Sequence, residues 1–234
     1  VLKEPITIIL SEQGWVRFQK SHIDKDVELK YREGDKELFI VHALSTDKII
    51  FFADNGRVFS VPANKLPSGR GFGEPISLTI DLKSENKIIS CFPYFDGNVM
   101  IASTNGYGFK LNSANLIAQT KTGKQILNVK GEVKTKACKE ITGDTVAIVG
   151  NNRKLIVFPI DDLPVLNKGK GVILQRYKDG TLSDFTSFNK NEGLSWKMNG
   201  GRKRVETDLL TWEGKRGGAG KLAPNGFPRP PIFN

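Results

Sequence analysis

Five short basic segments, most of them glycine-rich, hold the residue types in this chain that can bind a ligand through charge. They are residues 29–36, 69–73, 121–124, 168–171 and 214–221. Glycine lets backbone N–H groups approach an oxyanion closely, because it has no side chain to obstruct the approach. A neighbouring lysine or arginine neutralises the negative charge. These segments therefore predict the binding of phosphate groups rather than covalent chemistry.

The overall charge also favours a polyanionic partner. The chain has 35 Lys and Arg against 25 Asp and Glu, a net charge of +10. From residue 168 to the C-terminus there are 13 Lys and Arg and 6 Asp and Glu, so this part carries +7 and the first 167 residues carry +3. A basic, strand-rich protein is typical of nucleic-acid binding. A charge that serves only solubility is the alternative.

The predicted DNA-binding residues are the cations of the five segments. They are Arg32, Lys36, Arg70, Lys121, Lys124, Lys168, Lys170, Lys215, Arg216 and Lys221. Contacts between such side chains and phosphates position a duplex but read no base sequence. We therefore expect sequence-independent binding that salt weakens.

The sequence lacks the motifs of nucleotide-binding, catalytic and metal-binding sites. Aligning Gly220-Lys221 with a P-loop puts Lys215 where the first glycine belongs and Leu222 where the Mg²⁺-binding Ser or Thr belongs. There is no CxxC, HExxH or nucleophile elbow, and the carboxylates lie mainly in turns. We predict no catalytic residue and no metal site. The two cysteines are expected to be buried free thiols, with a disulfide as the alternative.

A strand–turn–strand pattern positions these segments, because one copy of it precedes each of the five. Its copies span residues 6–18, 48–61, 99–111 and 145–158, with a weaker fifth at 183–197. The same turn position is occupied by Gly14, Gly56, Gly106, Arg153 and Gly193, at offsets of 42, 50, 47 and 40 residues. The Asn55-Gly56 dipeptide predicts a type I′ hairpin turn.

A strand-built repeat of this length is typical of a propeller blade, which has about four strands. The sequence predicts an all-β fold with almost no helix: one domain over residues 1–234, folded as a closed ring of five four-stranded blades. Residues 1–10 are expected to complete the last blade, since an open ring would leave unpaired strand edges. Equivalent loops of such a ring lie on one edge, so the cations would form a basic rim.

Several strings in a fixed order carry a family resemblance. They are SEQGWVR at 11–17, LPSGRGFGEP at 66–75, NGYGF at 105–109, and FP, LP and KGKG between 158 and 171. The set resembles the C-terminal domain of the A subunit of bacterial DNA topoisomerase IV. The resemblance implies a β-pinwheel, a propeller-like ring whose blades exchange an outer strand. It also implies that the domain binds and bends the transported DNA segment for decatenation and supercoil relaxation.

The related gyrase A C-terminal domain carries a box of the form QRRGGKG in its first blade. Residues 29–36 hold no such box, and KRGGAGK at 215–221 lies in the last repeat and lacks the glutamine. The pattern favours topoisomerase IV. A gyrase wrapping domain and a propeller that binds other proteins remain alternatives, and a propeller hydrolase lacks the residues it would need.

The resemblance also sets the expected context. It implies a bacterial, cytoplasmic, nucleoid-associated protein with no membrane contact and no activity of its own, because the DNA-cleaving tyrosine belongs to an N-terminal region of the family. ATP and Mg²⁺ would serve the full enzyme and not this domain. The expected partners are double-stranded DNA, the remainder of the same polypeptide and the ATPase B subunit of a heterotetramer. The start at Val1, without Met, predicts a fragment of a longer polypeptide.

Overall fold

The computed structural model describes residues 2–69 and 71–233, and these form an all-β structure without an α-helix. The helical turns among them are short 3-10 segments: Ala63–Lys65, Ile76–Leu78, Ser113–Leu116 and Ile160–Asp162. The predicted all-β class and the near absence of helix are confirmed.

The described residues contain eighteen strands. In chain order they are β1 Pro5–Ser11, β2 Trp15–Lys20, β3 Glu37–Leu44, β4 Lys48–Ala53, β5 Arg57–Pro62, β6 Glu74–Pro75, β7 Ile88–Pro93, β8 Asn98–Ser103, β9 Tyr107–Asn112, β10 Lys124–Gln125, β11 Thr135–Glu140, β12 Thr145–Gly150, β13 Lys154–Pro159, β14 Val172–Ile173, β15 Leu182–Phe188, β16 Leu194–Lys197, β17 Lys203–Glu206 and β18 Lys221–Leu222.

Four antiparallel sheets share one construction. Their strand orders are β3-β1-β2-β6 (sheet 1), β10-β5-β4-β7 (sheet 2), β11-β8-β9-β14 (sheet 3) and β15-β12-β13-β18 (sheet 4). The two middle strands form a hairpin, and the next long strand in the chain (β3, β7, β11 or β15) pairs with the hairpin's first strand. A two-residue strand from the next repeat pairs with the second. Neighbouring repeats of the sequence therefore exchange an outer strand.

The four hairpins turn in the same way. The N–H of Gly14, Gly56 and Gly106 donates to the carbonyl three residues earlier, and each glycine has φ between 83° and 84°. Arg153 repeats the bond at 2.9 Å with φ 67°. The predicted type I′ turn at Asn55-Gly56 is wrong, because of these two residues only Gly56 has a positive φ. The geometry is a type I turn followed by a left-handed residue, which also suits the twist of a hairpin.

A glycine with positive φ stands immediately before or close to every exchanged strand. These glycines are Gly73, Gly123, Gly171 and Gly220, with φ between 72° and 84°. A Cβ on any of them would lie between 2.0 and 2.6 Å from a backbone carbonyl oxygen of the adjacent strand. Only glycine fits such an approach, because a real Cβ does not come this close to backbone.

The fifth repeat departs from the prediction. The expected hairpin at 183–197 is wrong, because β15 pairs with β12 as the outer strand of sheet 4. The true last hairpin joins β16 to β17, and it has two strands rather than four. Leu182 and Phe185 are 2% and 1% exposed and pack in the core beside β12, which holds β15 in sheet 4. Strand β1 pairs with β2 and β3, so the expectation that the N-terminus completes the last blade is also wrong.

The described residues divide into two compact units. One comprises residues 2–96 and 113–126, and its core includes Ile8, Phe51 and Phe59. The other comprises residues 97–112 and 127–233, with cores around Ile148 and around Trp196. Cys91 and Cys138 are buried free thiols, as expected. Burial raises the pKa of both thiols, to about 12 for Cys91.

Candidate nucleic-acid interface

Four of the five basic segments occupy one structural position. Residues 69–73, 121–124, 168–171 and 214–221 lead directly into β6, β10, β14 and β18, or include their first residue. The regular spacing of these segments therefore has a structural cause, the exchange of an outer strand. Residues 29–36 differ, because they lie between β2 and β3 of a single sheet.

In the first unit, Arg17 brings two of the segments together. Its side chain is in β2, only 4% exposed, and donates to the carbonyl oxygens of Lys30 (2.9 Å) and Gly71 (2.8 Å). Burial lowers the pKa of this guanidinium. Sequence reasoning missed Arg17, although a cation in a mostly apolar strand was a visible signal. It fixes the segments 29–36 and 69–73 beside each other.

The cations that these two segments contribute differ in their partners. The guanidinium carbon of Arg32 lies 4.1 Å from the centre of the Trp15 ring. Lys36 Nζ lies 3.8 Å from Glu12 Oε2, with its side chain 75% exposed. Arg70 lies outside the described residues. The flat face of Arg32 is therefore oriented by an aromatic ring, while Lys36 has part of its charge balanced.

Lys121 and Lys124 are exposed, and the side chain of each makes a single polar interaction within the described part of the chain. Lys121 Nζ lies 3.8 Å from Asp81 Oδ1, in a pair whose side chains are 57% and 50% exposed. Lys124 Nζ donates to the carbonyl oxygen of Asn115 at 3.0 Å. Pairs this open to solvent contribute little to stability, so both ammonium groups stay accessible to a phosphate.

The predicted lysines of the second unit, unlike Lys36 and Lys121 of the first, have no carboxylate partner among the described residues. Lys168, Lys215 and Lys221 are exposed, and their side chains have no ion pair or hydrogen bond among the residues that the structure describes. Lys170 Nζ lies 4.2 Å from the centre of the Tyr107 ring. These four side chains reach solvent with their charge uncompensated by a carboxylate.

A cleft beside Lys170 is lined by further hydrogen-bond donors. It has a volume of about 330 Å³. Its lining includes Lys130, Lys170, Asn105, Asn128 and Ser103. The N–H of Asn128 donates to the carbonyl of Gly169 at 2.9 Å, which joins the loops carrying the two lysines. Sequence reasoning missed Lys130, because only the tertiary structure brings the 128–133 loop to Lys170. Two ammonium groups with amide donors can hold a phosphate group.

Arg216 has a structural function. Its Nε donates to the carbonyl of Asp162 and its Nη1 to the carbonyl of Ile173, both at 2.8 Å. Arg153 similarly donates to the carbonyls of Phe227 (2.8 Å) and Pro228 (2.9 Å). The guanidinium of Arg216 therefore holds segment 214–221 in place.

The two histidines contact each other and the backbone. The His22 and His42 rings stack at 4.6 Å, and the Nε2 atom of each lies within 2.8 Å of a backbone carbonyl oxygen. Among residues 2–69 and 71–233 there is no cluster of three His, Cys, Asp or Glu side chains that could hold a metal ion. Nor does this part of the chain contain a helix long and apolar enough to cross a membrane.

Four sheets built from exchanged strands define a propeller-like class of protein, and the comparisons agree. A profile of the family described as "DNA gyrase C-terminal domain, beta-propeller" matches residues 47–94, 97–138 and 144–185, more than half of the chain. The chain belongs to this family.

The similar proteins are topoisomerase IV subunits. The A subunit of DNA topoisomerase 4 from Caulobacter vibrioides is 46% identical over 228 residues, which is 97% of this chain and 30% of that protein. Its counterpart in Rickettsia bellii is 45% identical over 100% of this chain and 32% of that protein. The chain thus spans about a third of the length of these relatives. The resemblance to the topoisomerase IV A subunit is confirmed.

Two solved structures extend the comparison. The E. coli ParC C-terminal domain has a TM-score of 0.81 and 27% sequence identity, with 95% of each chain covered. The DNA gyrase A C-terminal domain has a TM-score of 0.67 and 15% identity, covering 95% of this chain and 80% of that chain. The second likeness is one of fold alone.

Proposed function

We propose that this chain binds duplex DNA without sequence preference, as the C-terminal domain of a bacterial topoisomerase IV A subunit. The observation that carries the proposal is the repeated position of exposed, uncompensated lysines where a segment enters an exchanged strand. Lys124, Lys170 and Lys221 each stand next to the positive-φ glycine of that position, in three different sheets. Cations repeated in this way fit a partner whose charge repeats along its length, as duplex DNA does.

The proposed contacts are electrostatic. Lysine ammonium groups meet phosphate oxygens, together with the backbone at the glycines that have open space beside them, Gly69, Gly71 and Gly169. The release of condensed counterions supplies the affinity. Where such contacts follow a curved protein surface they also bend the duplex, because each added contact offsets part of the elastic cost. We propose that this domain bends its DNA for that reason.

In the complete enzyme we propose that this domain holds the transported DNA segment for decatenation and supercoil relaxation. Cleavage, and the use of ATP and Mg²⁺, would belong to other parts of a heterotetramer formed with the ATPase B subunit in the cytoplasm. This domain would then catalyse nothing alone and need no cofactor. A DNA-wrapping role of the gyrase type is the second candidate, and the family match supports it.

We further propose that residues 1–234 fold as one domain, a closed β-pinwheel of five blades. The exchange of outer strands supports it, since each exchange ties one repeat to the next. Trp15 reports on the first compact unit and Trp196 on the second. Urea unfolding of the unmodified chain, followed by the fluorescence of these tryptophans and by far-UV circular dichroism, should give one coincident transition. Two separate midpoints would contradict the single domain.

Salt dependence tests the binding proposal. If six or more phosphates are contacted, the slope of log K against log salt should be about −5 or steeper, at about 0.9 per phosphate. Fluorescence anisotropy with duplexes of unrelated sequence should give matching curves. An affinity that does not change between low and physiological salt would contradict the proposal and favour a propeller that binds other proteins.

A further inference from the structure

The hairpin of β16 and β17 carries a basic cluster outside the five predicted segments. Lys197 stands directly opposite Lys203 in its register, and Arg202 precedes Lys203. Like charges directly opposite each other on paired strands destabilise a sheet. This hairpin therefore keeps an arrangement that opposes its own folding.

The three cations of this cluster are also unpartnered. Lys197, Arg202 and Lys203 are exposed, and their side chains have no ion pair, hydrogen bond or ring contact among the described residues. The adjacent Arg204 is different, because it lies 5.6 Å from the Trp196 ring centre and 3.4 Å from Glu206 Oε2. Of these four cations on the hairpin, the structure restrains one and leaves three facing solvent.

The core holds the strands of the hairpin, and its tip is open to solvent. Trp196 is 1% exposed and packs against Phe227, with ring centres 5.2 Å apart. At the turn, Gly200 and Gly201 have φ of 101° and 85°, and nothing lies within 4 Å of a Cβ built on either. A ligand can therefore approach the backbone of the tip closely, while the core holds the hairpin in position.

We propose that the hairpin tip, residues 197–203, is a separate phosphate-binding element that contacts the backbone of duplex DNA. The inference rests on the proposed DNA-binding function and adds a contact site to it. Phosphates on the ligand would relieve the repulsion between Lys197 and Lys203 and balance Arg202. A two-stranded ribbon also fits within the width of the major groove. Lysines and glycines carry no base-reading geometry, so the contact adds affinity without sequence preference.

The test is a triple variant, Lys197→Gln, Arg202→Gln and Lys203→Gln. Its matched control is Lys25→Gln, Lys65→Gln and Lys83→Gln, which removes the same charge from exposed lysines without a side-chain partner among the described residues. Duplex affinity and its salt slope are measured for both. If two or three phosphate contacts disappear, the slope of the hairpin variant should become less steep by about 1.8 to 2.7. Extrapolated from 1 M salt, that change corresponds to a loss of about thirty- to 170-fold in affinity at about 150 mM salt.

Measuring the stability of the variant distinguishes a role of these cations in binding from a role in folding. Because the substitutions remove a like-charge pair, the urea midpoint of the hairpin variant should equal or exceed that of the wild type. A lowered midpoint would contradict the proposal, since the cations would then support the fold. Wild-type binding with the expected slope, together with an unchanged hairpin variant or an equal loss in the control, would overturn this site alone. Absence of duplex binding by the wild type would overturn the proposed function and this site with it.

Discussion

Replacing Gly73 with alanine is expected to lower the free energy of unfolding by about 3 kcal/mol or more. Gly73 has φ +83°, and a Cβ there would lie 2.0 Å from the carbonyl oxygen of Val16. The left-handed conformation alone costs about 1–2 kcal/mol with a side chain. The contact must also push β6 away from β2, which disturbs the Glu74–Val16 pairing and the buried Ile76 that follows. Urea unfolding measured by circular dichroism gives the change.

Two other glycines distinguish the cost of the left-handed backbone from the cost of the close contact with the adjacent strand. Gly131 has φ +62°, and nothing lies within 4 Å of a Cβ built on it. Gly131→Ala should therefore lower the free energy of unfolding by only about 1–2 kcal/mol. Gly71 has neither a positive φ nor a neighbour within 4 Å, so Gly71→Ala should change stability by less than about 0.5 kcal/mol. If Gly73→Ala were no worse than Gly131→Ala, the close approach of the exchanged strand would not be what requires glycine.

Reversing Lys168, Lys170 and Lys215 to glutamate should weaken duplex binding by on the order of a hundredfold at about 150 mM salt. The loss of three phosphate contacts makes the salt slope less steep by about 2.7, and extrapolation from 1 M salt gives that factor. Arg216 is left unchanged because it donates to two backbone carbonyls, and its loss would test folding. Anisotropy titrations over a range of salt concentrations measure both quantities, and unrelated duplex sequences should be affected equally.

A charge-matched variant provides the control. Lys25→Glu, Lys65→Glu and Lys83→Glu make the same change in net charge on exposed lysines outside the five basic segments. This control should weaken binding much less, because most of its effect is screened beyond about 8 Å at physiological salt. An equal loss in both variants would mean that net charge, and not the placement of the lysines, determines affinity.

The same triple reversal distinguishes roles in the complete enzyme. We expect decatenation and supercoil relaxation to fall while drug-trapped DNA cleavage persists, since the proposed site holds the transported segment and not the cut one. The three activities are compared for the wild-type and variant enzymes. A loss of cleavage in proportion to the other two would show that these lysines act on the cut segment or on folding.

Local patterns predicted the local structure well. Alternating apolar runs and a turn residue that accepts positive φ gave four hairpins, because both features act within about a dozen residues. The repeated Leu-Pro pair has one role in both places. Pro67 and Pro164 accept hydrogen bonds from Phe18 and Lys110 at 2.8 and 3.0 Å, beside buried Leu66 and Leu163.

Such local patterns could not predict which strands pair with partners far away in the sequence. An outer strand of one sheet and the first strand of the next hairpin have the same apolar pattern, so the pattern alone predicts that β15 begins a fifth hairpin. The exchanged strands have two residues each and therefore carry no periodicity. Arg17, Lys130 and the structural hydrogen bonds of Arg216 depend on partners that lie far from them in the sequence, between 13 and 54 residues away for the two arginines.

Without the structure, residue types and spacing predict the all-β class, the repeat, the family and the basic character of the chain. These follow from side-chain chemistry and from spacing, which need no partner to be read. The role of the glycines becomes visible only in the folded chain. They were predicted to let phosphates approach, but Gly73, Gly123, Gly171 and Gly220 lie where another strand's carbonyl leaves no space for a Cβ. Which cations remain free was likewise decided by folding, because a charge is neutralised only by groups that the fold brings within reach.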